Sequence, residues 1–241
     1  MTIASPALLK LLVWLSPAFP VGGYTYSHGL EWAIEDGSVA SAADLAAWIA
    51  DILAHGGGRN DAILFTCAHR AATAGDAGRL VDVVETALAF QPSRERLLET
   101  TAQGTAFVRA IRDTYPLAGS DRLYDAVEAA RDRFAGDARL AFPWPYPVAV
   151  AIAAAGHGVP LAPALAAFLQ AFVANIVSAG VRAVPLGQTD GLRLVAGAVD
   201  RIAALAELAP GLDLDHLGGA TLRADIASMR HETQYTRLFR S

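Results

Sequence analysis

The chain has 241 residues, 54% of them hydrophobic and 18% charged, with a formal net charge of −5. Such a composition can bury a large core and excludes disorder over most of the length. The acidic balance argues against a nucleic-acid footprint, which needs a basic face.

In chain order, residues 8–15 (LLKLLVWL) are apolar, but Lys10 interrupts them and no small-residue cleavage pattern follows, so they make a poor signal peptide. Residues 16–31 (SPAFPVGGYTYSHGLE) form the most idiosyncratic stretch. It is free of charge until Glu31, punctuated by Pro and Gly, and reads as a tight turn after Pro20 that leads into a helix start at Ser27, His28, Gly29, Leu30 and Glu31. Ser41 with Asp44 three residues on resembles a capping box. Leu45, Trp48, Ile49, Ile52 and Leu53 then fall on one helical face that the glycines at 56–58 stop. A second helix from Asn60 or Asp61 carries Ile63, Leu64, Cys67 and Ala71 and breaks near Gly75. A third, from Asp76, carries Leu80, Val83, Val84, Ala87 and Leu88 and ends before Pro92. Ser93 can cap a long helix through Tyr115, with Leu97, Leu98, Thr101, Phe107, Val108 and Ile111 expected to face inward; Pro116 closes it. Ser120 and Asp121 open another segment with Leu123, Val127, Ala130 and Phe134.

Residues 142–147 (FPWPYP) cannot be helical throughout, because alternating prolines fix φ and remove donors; they read as an extended aromatic connection. Residues 140–181 contain no Asp, Glu, Lys or Arg and predict two uncharged helices, 148–155 and 161–178. The stretch 161–181 is long enough to cross a bilayer. Pro163, Gln170, Asn175 and Ser178 interrupt it and alanine dominates it, so it reads instead as the centre of a bundle or an oligomer contact. Residues 181–191 (VRAVPLGQTDG) read as a loop, with Asp190 capping a helix over 192–208. After Pro210 and Gly211 comes a last helix over 222–239 or a partly ordered tail. No period-two alternation persists for strand length and no linker divides the chain. The expectation is one all-α domain over 1–241, a bundle of about eight to ten helices, with a flexible N-terminus (about residues 1–6) and a C-terminal tail (about 228–241).

Chemistry is harder to find. Cys67 is the only cysteine, so no intrachain disulfide can close and a reducing, cytoplasmic compartment is the simplest reading. The six histidines show no metal-ligand spacing, His231 beside Glu232 being the best placed of them. There is no P-loop, no GxGxxG after a strand and no GxSxG elbow. Glu31 and Glu35, at i and i+4, read as a solvated face. Sequence therefore specifies no catalytic, cofactor or metal residue. What it offers is an interaction pattern. Trp14, Phe19, Tyr24, Tyr26 and Trp32 cluster near the N-terminus and Trp144 and Tyr146 in the Pro-rich connection, suited either to interfaces or to packing under the bundle. The end of the chain carries Arg230, Arg237 and Arg240, with Arg223, Arg230 and Arg237 seven apart and hence on one side of a continuing helix. Terminal segments fray unless docked, so Leu238 and Phe239 imply that something captures this tail.

With those residues in view, the chain resembles the urease accessory protein F family. The segments that carry the resemblance are residues 16–31, the helix start PSRE at 92–95 leading to Gly104, the segment 181–191, and the terminal RLFRS at 237–241, in family order over almost the whole chain. Trp144, Pro145, Tyr146 and Pro147 depart from the family, which often has a histidine before the central proline, as does Leu192, where a glutamine is common. The resemblance implies an all-helical, non-enzymatic adaptor that forms a homodimer, binds the urease accessory protein D (also called H) and recruits the GTPase accessory protein G, so that nickel reaches apo-urease. It implies no cofactor of its own: nickel is handled by the complex and GTP by the partner. The residues expected to make partner contact are Tyr24, Tyr26, Ser27, His28, Glu31, Arg182, Gln188, Arg230, Arg237, Leu238, Phe239, Arg240 and Ser241, with packing the other role open to Tyr24, Tyr26 and Glu31; the resemblance implies that the tail becomes ordered on the D protein. A second reading makes the chain a GTPase activator that inserts Arg182, Arg237 or Arg240 into the G protein. A third is a small membrane protein built on residues 140–181.

Overall fold

Side-chain caps set several of the helix starts in the computed structural model, which describes residues 5–130 and 142–240. The α-helices are α1 (Ser5–Trp14), α2 (Leu30–Glu35), α3 (Ala42–His55), α4 (Gly57–Ala74), α5 (Ala77–Ala89), α6 (Arg94–Thr114), α7 (Ala118–Ala129), α8 (Tyr146–Gly156), α9 (Leu161–Ala183), α10 (Gln188–Gly197), α11 (Val199–Leu208) and α12 (Leu222–His231). They form a single all-α domain, with no strand among the described residues. Ser41, Asp76 and Ser93 each accept a hydrogen bond from the backbone N–H three residues on, at 3.2, 2.9 and 3.1 Å, and so satisfy an orphan donor at the starts of α3, α5 and α6. Gly75, at φ 70°, ends α4 in the left-handed conformation that glycine adopts without a Cβ penalty.

The differences from expectation are local. α4 begins at Gly57 rather than at Asn60 or Asp61, and α9 runs on to Ala183, which leaves only residues 184–187 as loop. Asp190 lies inside α10, where it accepts the Gly187 N–H at 3.4 Å. The helix expected over 192–208 is two helices, α10 and α11, separated at Ala198. α12 stops at His231, so Arg237 leaves the helical row of Arg223 and Arg230. The helix that Ser120 was expected to open starts two residues earlier, at Ala118; Phe134 lies outside the described residues, as do Ser241 and most of the N-terminal stretch expected to be flexible.

The uncharged helices are the centre of the bundle. α8 packs on α4 and α6, and residues 148–154 are fully buried. Its small side chains let the flanking helices approach closely. α9 has the length and composition of a membrane span, but it packs on α2, α3, α4, α10 and α11, and 56% of its apolar window is buried inside the protein.

Residues 142–145 are extended, as the prolines require, and lie along α6. Thr105 Oγ1 donates to the Phe142 carbonyl at 2.7 Å, and Thr100 Oγ1 accepts the Tyr146 N–H at 3.1 Å. Trp144 is buried, donates Nε1–H to Glu128 at 2.9 Å and meets Tyr124 edge to face at 5.1 Å. The aromatics of this connection pack under the bundle. Near the N-terminus the same holds for Trp14, Phe19 and Tyr26; Tyr24, 62% exposed, projects outward.

Candidate functional site

The stretch 16–31 and the end of the chain, far apart in sequence, meet in one place. A 3₁₀ turn (Gly23–Thr25) follows Gly22, and two consecutive residues, His28 at φ 57° and Gly29 at φ 77°, then sit in the left-handed region and reverse the chain into α2. Gly29 is required twice over: a Cβ there would also lie 2.6 Å from the Ser228 backbone nitrogen on α12. His28, a non-glycine in that conformation, is held by Glu99 Oε1 at 2.9 Å and by the edge of the Phe172 ring at 4.9 Å.

The turn delivers Glu31 to the interior, where it meets Glu95 from α6 and His231 from the end of α12. The fully buried imidazole of His231 lies 2.5 Å from Glu95 through Nδ1 and 2.9 Å from Glu31 through Nε2. Glu31 also accepts the backbone N–H groups of Leu238 at 2.6 Å and Phe239 at 3.0 Å, and Glu95 accepts from Arg237 at 2.7 Å. Arg240 N–H donates to the Thr25 carbonyl at 2.7 Å. Phe239 is buried beneath the Arg182 guanidinium, 4.5 Å from its ring centroid, and Arg182 also donates to the Tyr24 carbonyl at 2.7 Å. Burial raises the Tyr26 phenol above its ordinary value, against the opposing hydrogen bond from Arg240. Glu232 accepts the Arg94 N–H at 2.9 Å and Ser228 Oγ donates to Ser93 at 2.9 Å, so the end of α12 is fastened to the start of α6. The tail is thus captured by its own chain, as a strap of turns and bends held by two carboxylates.

One turn further along α6 lies a second buried polar group. Glu99 pairs with Arg96 and with His28, and Gln103 donates to it at 3.2 Å. Burial, and then the neighbouring Arg96 charge, push His28 down, which makes it a neutral ring donating Nε2–H. Beside this group Asp61, on α4, lines a cavity of about 180 Å³ walled by Leu15, Phe19, Gln103, Phe168 and Phe172. A second cavity, of about 270 Å³, shares Asp61, His28 and Arg96 with it. Burial raises the Asp61 carboxyl from 3.8 to about 7, only partly opposed by Arg96. The folded chain therefore binds that proton more tightly than the unfolded one, and stability is lost as pH rises between about 4 and about 7. Asp61→Asn should abolish this loss and leave the protein more stable than its parent at pH 8. Thermal melts at pH 5 and pH 8 check it; equal pH responses in the two proteins would refute it.

Of the residues singled out by sequence, Tyr24, Tyr26, Glu31, Arg182, Arg237, Leu238, Phe239 and Arg240 come together at the strap. Ser27 is buried beneath it and accepts the Glu31 N–H at 3.3 Å; His28 belongs to the Glu99 group. Gln188, exposed at the start of α10, and Arg230, exposed near the end of α12, are not brought in. Ser241 lies outside the described residues. Two readings are corrected. Glu31 is buried rather than part of a solvated face with Glu35, because His231 and the strap supply its donors. In the first half of α6, Leu97 and Leu98 are exposed while Glu95, Arg96 and Glu99 are buried, the reverse of the expected facing. Phe107, Val108 and Ile111 do face inward. The signal for the missed acids was the row Glu95, Glu99, Gln103, Phe107 and Ile111, spaced four apart on one helical face. Among the described residues no group of three or more His, Cys, Asp and Glu side chains is placed to hold a metal ion.

The outer side of the strap differs from its inner side. Leu238 is 75% exposed and Tyr235 wholly so, and the outer face of α12 adds Leu222, Ile226 and Met229. Arg223, Arg230, Arg237 and Arg240 are exposed along the same residues, 222–240. The result is a segment of exposed apolar and arginine side chains on an acidic protein.

Comparison with known proteins gives a consistent picture. The UreF family model matches residues 39–199. A urease accessory protein UreF of Rhodopseudomonas palustris (strain HaA2) is 52% identical over 235 residues, covering 98% of this chain and 94% of the relative. One from Bradyrhizobium sp. (strain ORS 278) is 49% identical over 235 residues, covering 98% and 92%. One from Xanthobacter autotrophicus (strain ATCC BAA-1158 / Py2) is 50% identical over 239 residues, covering 99% and 93%.

Proposed function

Because the chain belongs to the UreF family of urease accessory proteins, we propose that it is a non-enzymatic adaptor of urease maturation. It binds the accessory protein D/H through its C-terminal end, recruits the GTPase accessory protein G, and so supports nickel delivery to apo-urease; it works in the cytoplasm, as a homodimer, without a cofactor of its own. The observation that carries the reading is the two-sided strap. Its inner side spends Arg237 and Phe239 on anchoring. Its outer side, with α12, leaves exposed apolar side chains interspersed with arginines, the surface chemistry of a docking site for a partner with an apolar, acid-edged patch.

The tyrosine and carboxylate marked for partner contact at Tyr26 and Glu31 act on this reading from beneath, by holding the strap in shape. The alternative of an arginine finger would have to withdraw Arg182, Arg237 or Arg240 from the contacts just described, which favours the adaptor. GTP turnover by the G protein should change little on adding this chain.

The double variant Tyr235→Ala, Leu238→Asp alters only exposed side chains, so it should keep the parent's thermal stability and lose at least about tenfold in affinity for the D/H protein, the scale set by losing a central apolar contact. Co-purification and titration calorimetry read the result. Undiminished binding by a folded variant would sink the assignment of this surface.

A further inference from the structure

We propose that His231 is a proton-operated clasp: as an imidazolium bridging Glu31 and Glu95 it holds the C-terminal strap down, and loss of one ring proton lets the strap lift. Its consequence for partner binding rests on the adaptor reading above, whereas the clasp itself does not.

The argument is geometric. Both ring nitrogens of His231 face carboxylate oxygens, at 2.5 and 2.9 Å. An ionised carboxylate can only accept, and a neutral imidazole carries a single N–H, so only the imidazolium satisfies both contacts. The ring is 0% exposed, and no bulk water can stand in for the missing donor. The charges also balance only in that form: Glu31 and Glu95 against His231 and Arg237.

The groups facing the clasp offer no substitute cation. From α2 comes Glu31 alone, since Glu35 is exposed. From α6 come Glu95 and, a turn on, Arg96 and Glu99, which pair with each other and, in the case of Glu99, with His28 of the N-terminal turn. From α12 itself Asp225 adds a carboxyl raised by burial, and Arg230 is exposed. From the strap come Arg237, already on Glu95, and Glu232, which accepts from the Arg94 N–H.

Deprotonation would leave two buried carboxylates sharing one imidazole donor, and one of them must swing away from the ring. That swing undoes part of the strap. Glu31 holds the Leu238 and Phe239 N–H groups, and Glu95 holds Arg237. The clasp and the strap are therefore one coupled unit rather than neighbours.

The test is solution NMR of the full chain, with ¹⁵N-labelled histidine and backbone, followed as the pH is raised. The His231 ring should carry both protons while the Leu238 and Phe239 amides keep their docked shifts. The two signals should then change together, the docked fraction falling about tenfold per pH unit above the midpoint, as one proton requires. His231→Gln should have a lifted strap at every pH with an unchanged far-UV spectrum. If that variant does not fold, Glu95→Gln serves instead: losing one carboxylate should make the strap release at lower pH than in the parent. A neutral His231 ring in the docked state, or strap amides that do not move while the ring deprotonates, would overturn the clasp. A strap that lifts as described without changing D/H binding would leave the clasp standing and remove the adaptor surface.

Discussion

Gly104→Ala should cost about 3 kcal/mol or more of unfolding free energy, at the upper end of what overpacking a core does. A Cβ on this residue would sit 1.9 Å from the Trp144 carbonyl oxygen and 2.9 Å from the Pro145 carbonyl carbon. Those are backbone atoms, so no rotamer change relieves the clash. Nor can the crossing segment slide away. Thr105 and Thr100 bond it to α6 on either side of the glycine, and the Trp144 indole is fixed by Glu128 and Tyr124. Proline fixes φ at Pro143 and Pro145 besides. Shifting the segment would also shift the start of α8, the most deeply buried helix of the bundle. Urea denaturation measures the effect, and a loss below about 1 kcal/mol, within the range of ordinary surface changes and mild overpacking, would show that the crossing can relax.

Glu31→Ala should destabilise the protein by about 3–5 kcal/mol, the usual consequence of removing one partner from a buried charged pair. The substitution strips an acceptor from the buried His231 ring and from the Leu238 and Phe239 N–H groups at once. It leaves His231 and Arg237 facing Glu95 alone. Glu35→Ala, one turn along α2 at an exposed position, should change stability by no more than about 0.5 kcal/mol. Parallel denaturation of the two variants reads the contrast. Hydrogen exchange adds a local test, since the strap amides should lose protection in the first variant and keep it in the second. Equal stabilities would mean that the strap is not held by Glu31.

The two predictions divide what was legible in the sequence from what was not. Helix starts and stops were written locally: a serine or aspartate that bonds the N–H three residues ahead needs nothing from the rest of the chain, and Ser41, Asp76, Ser93 and Gly75 act where the sequence placed them. So were the apolar faces of α3 and α5, because a 3.6-residue period of Leu, Ile, Val and Trp has one way to be buried. α8, and α9 up to Arg182 in its last turn, were read as interior on a different ground, their lack of charge. Family membership, too, was visible in the ordered segments 16–31, 92–95, 181–191 and 237–241.

The site was only half legible. Its residues could be named from both ends of the chain, but nothing in either segment said that they meet. Glu31 and its partner His231 are 200 residues apart, and polar groups are buried or solvated according to whether a partner arrives. That is why Glu31 read as a surface charge and why the first half of α6 read inside out, with Leu97 and Leu98 assigned to the core that Glu95 and Glu99 occupy. Sequence alone determined that this chain is a helical bundle and where several of its helices begin and end, since capping and apolar periodicity are local. Only the tertiary structure decided that its C-terminal tail is strapped to its N-terminal turn, because a buried carboxylate is stable only once donors from distant parts of the chain have been brought to it.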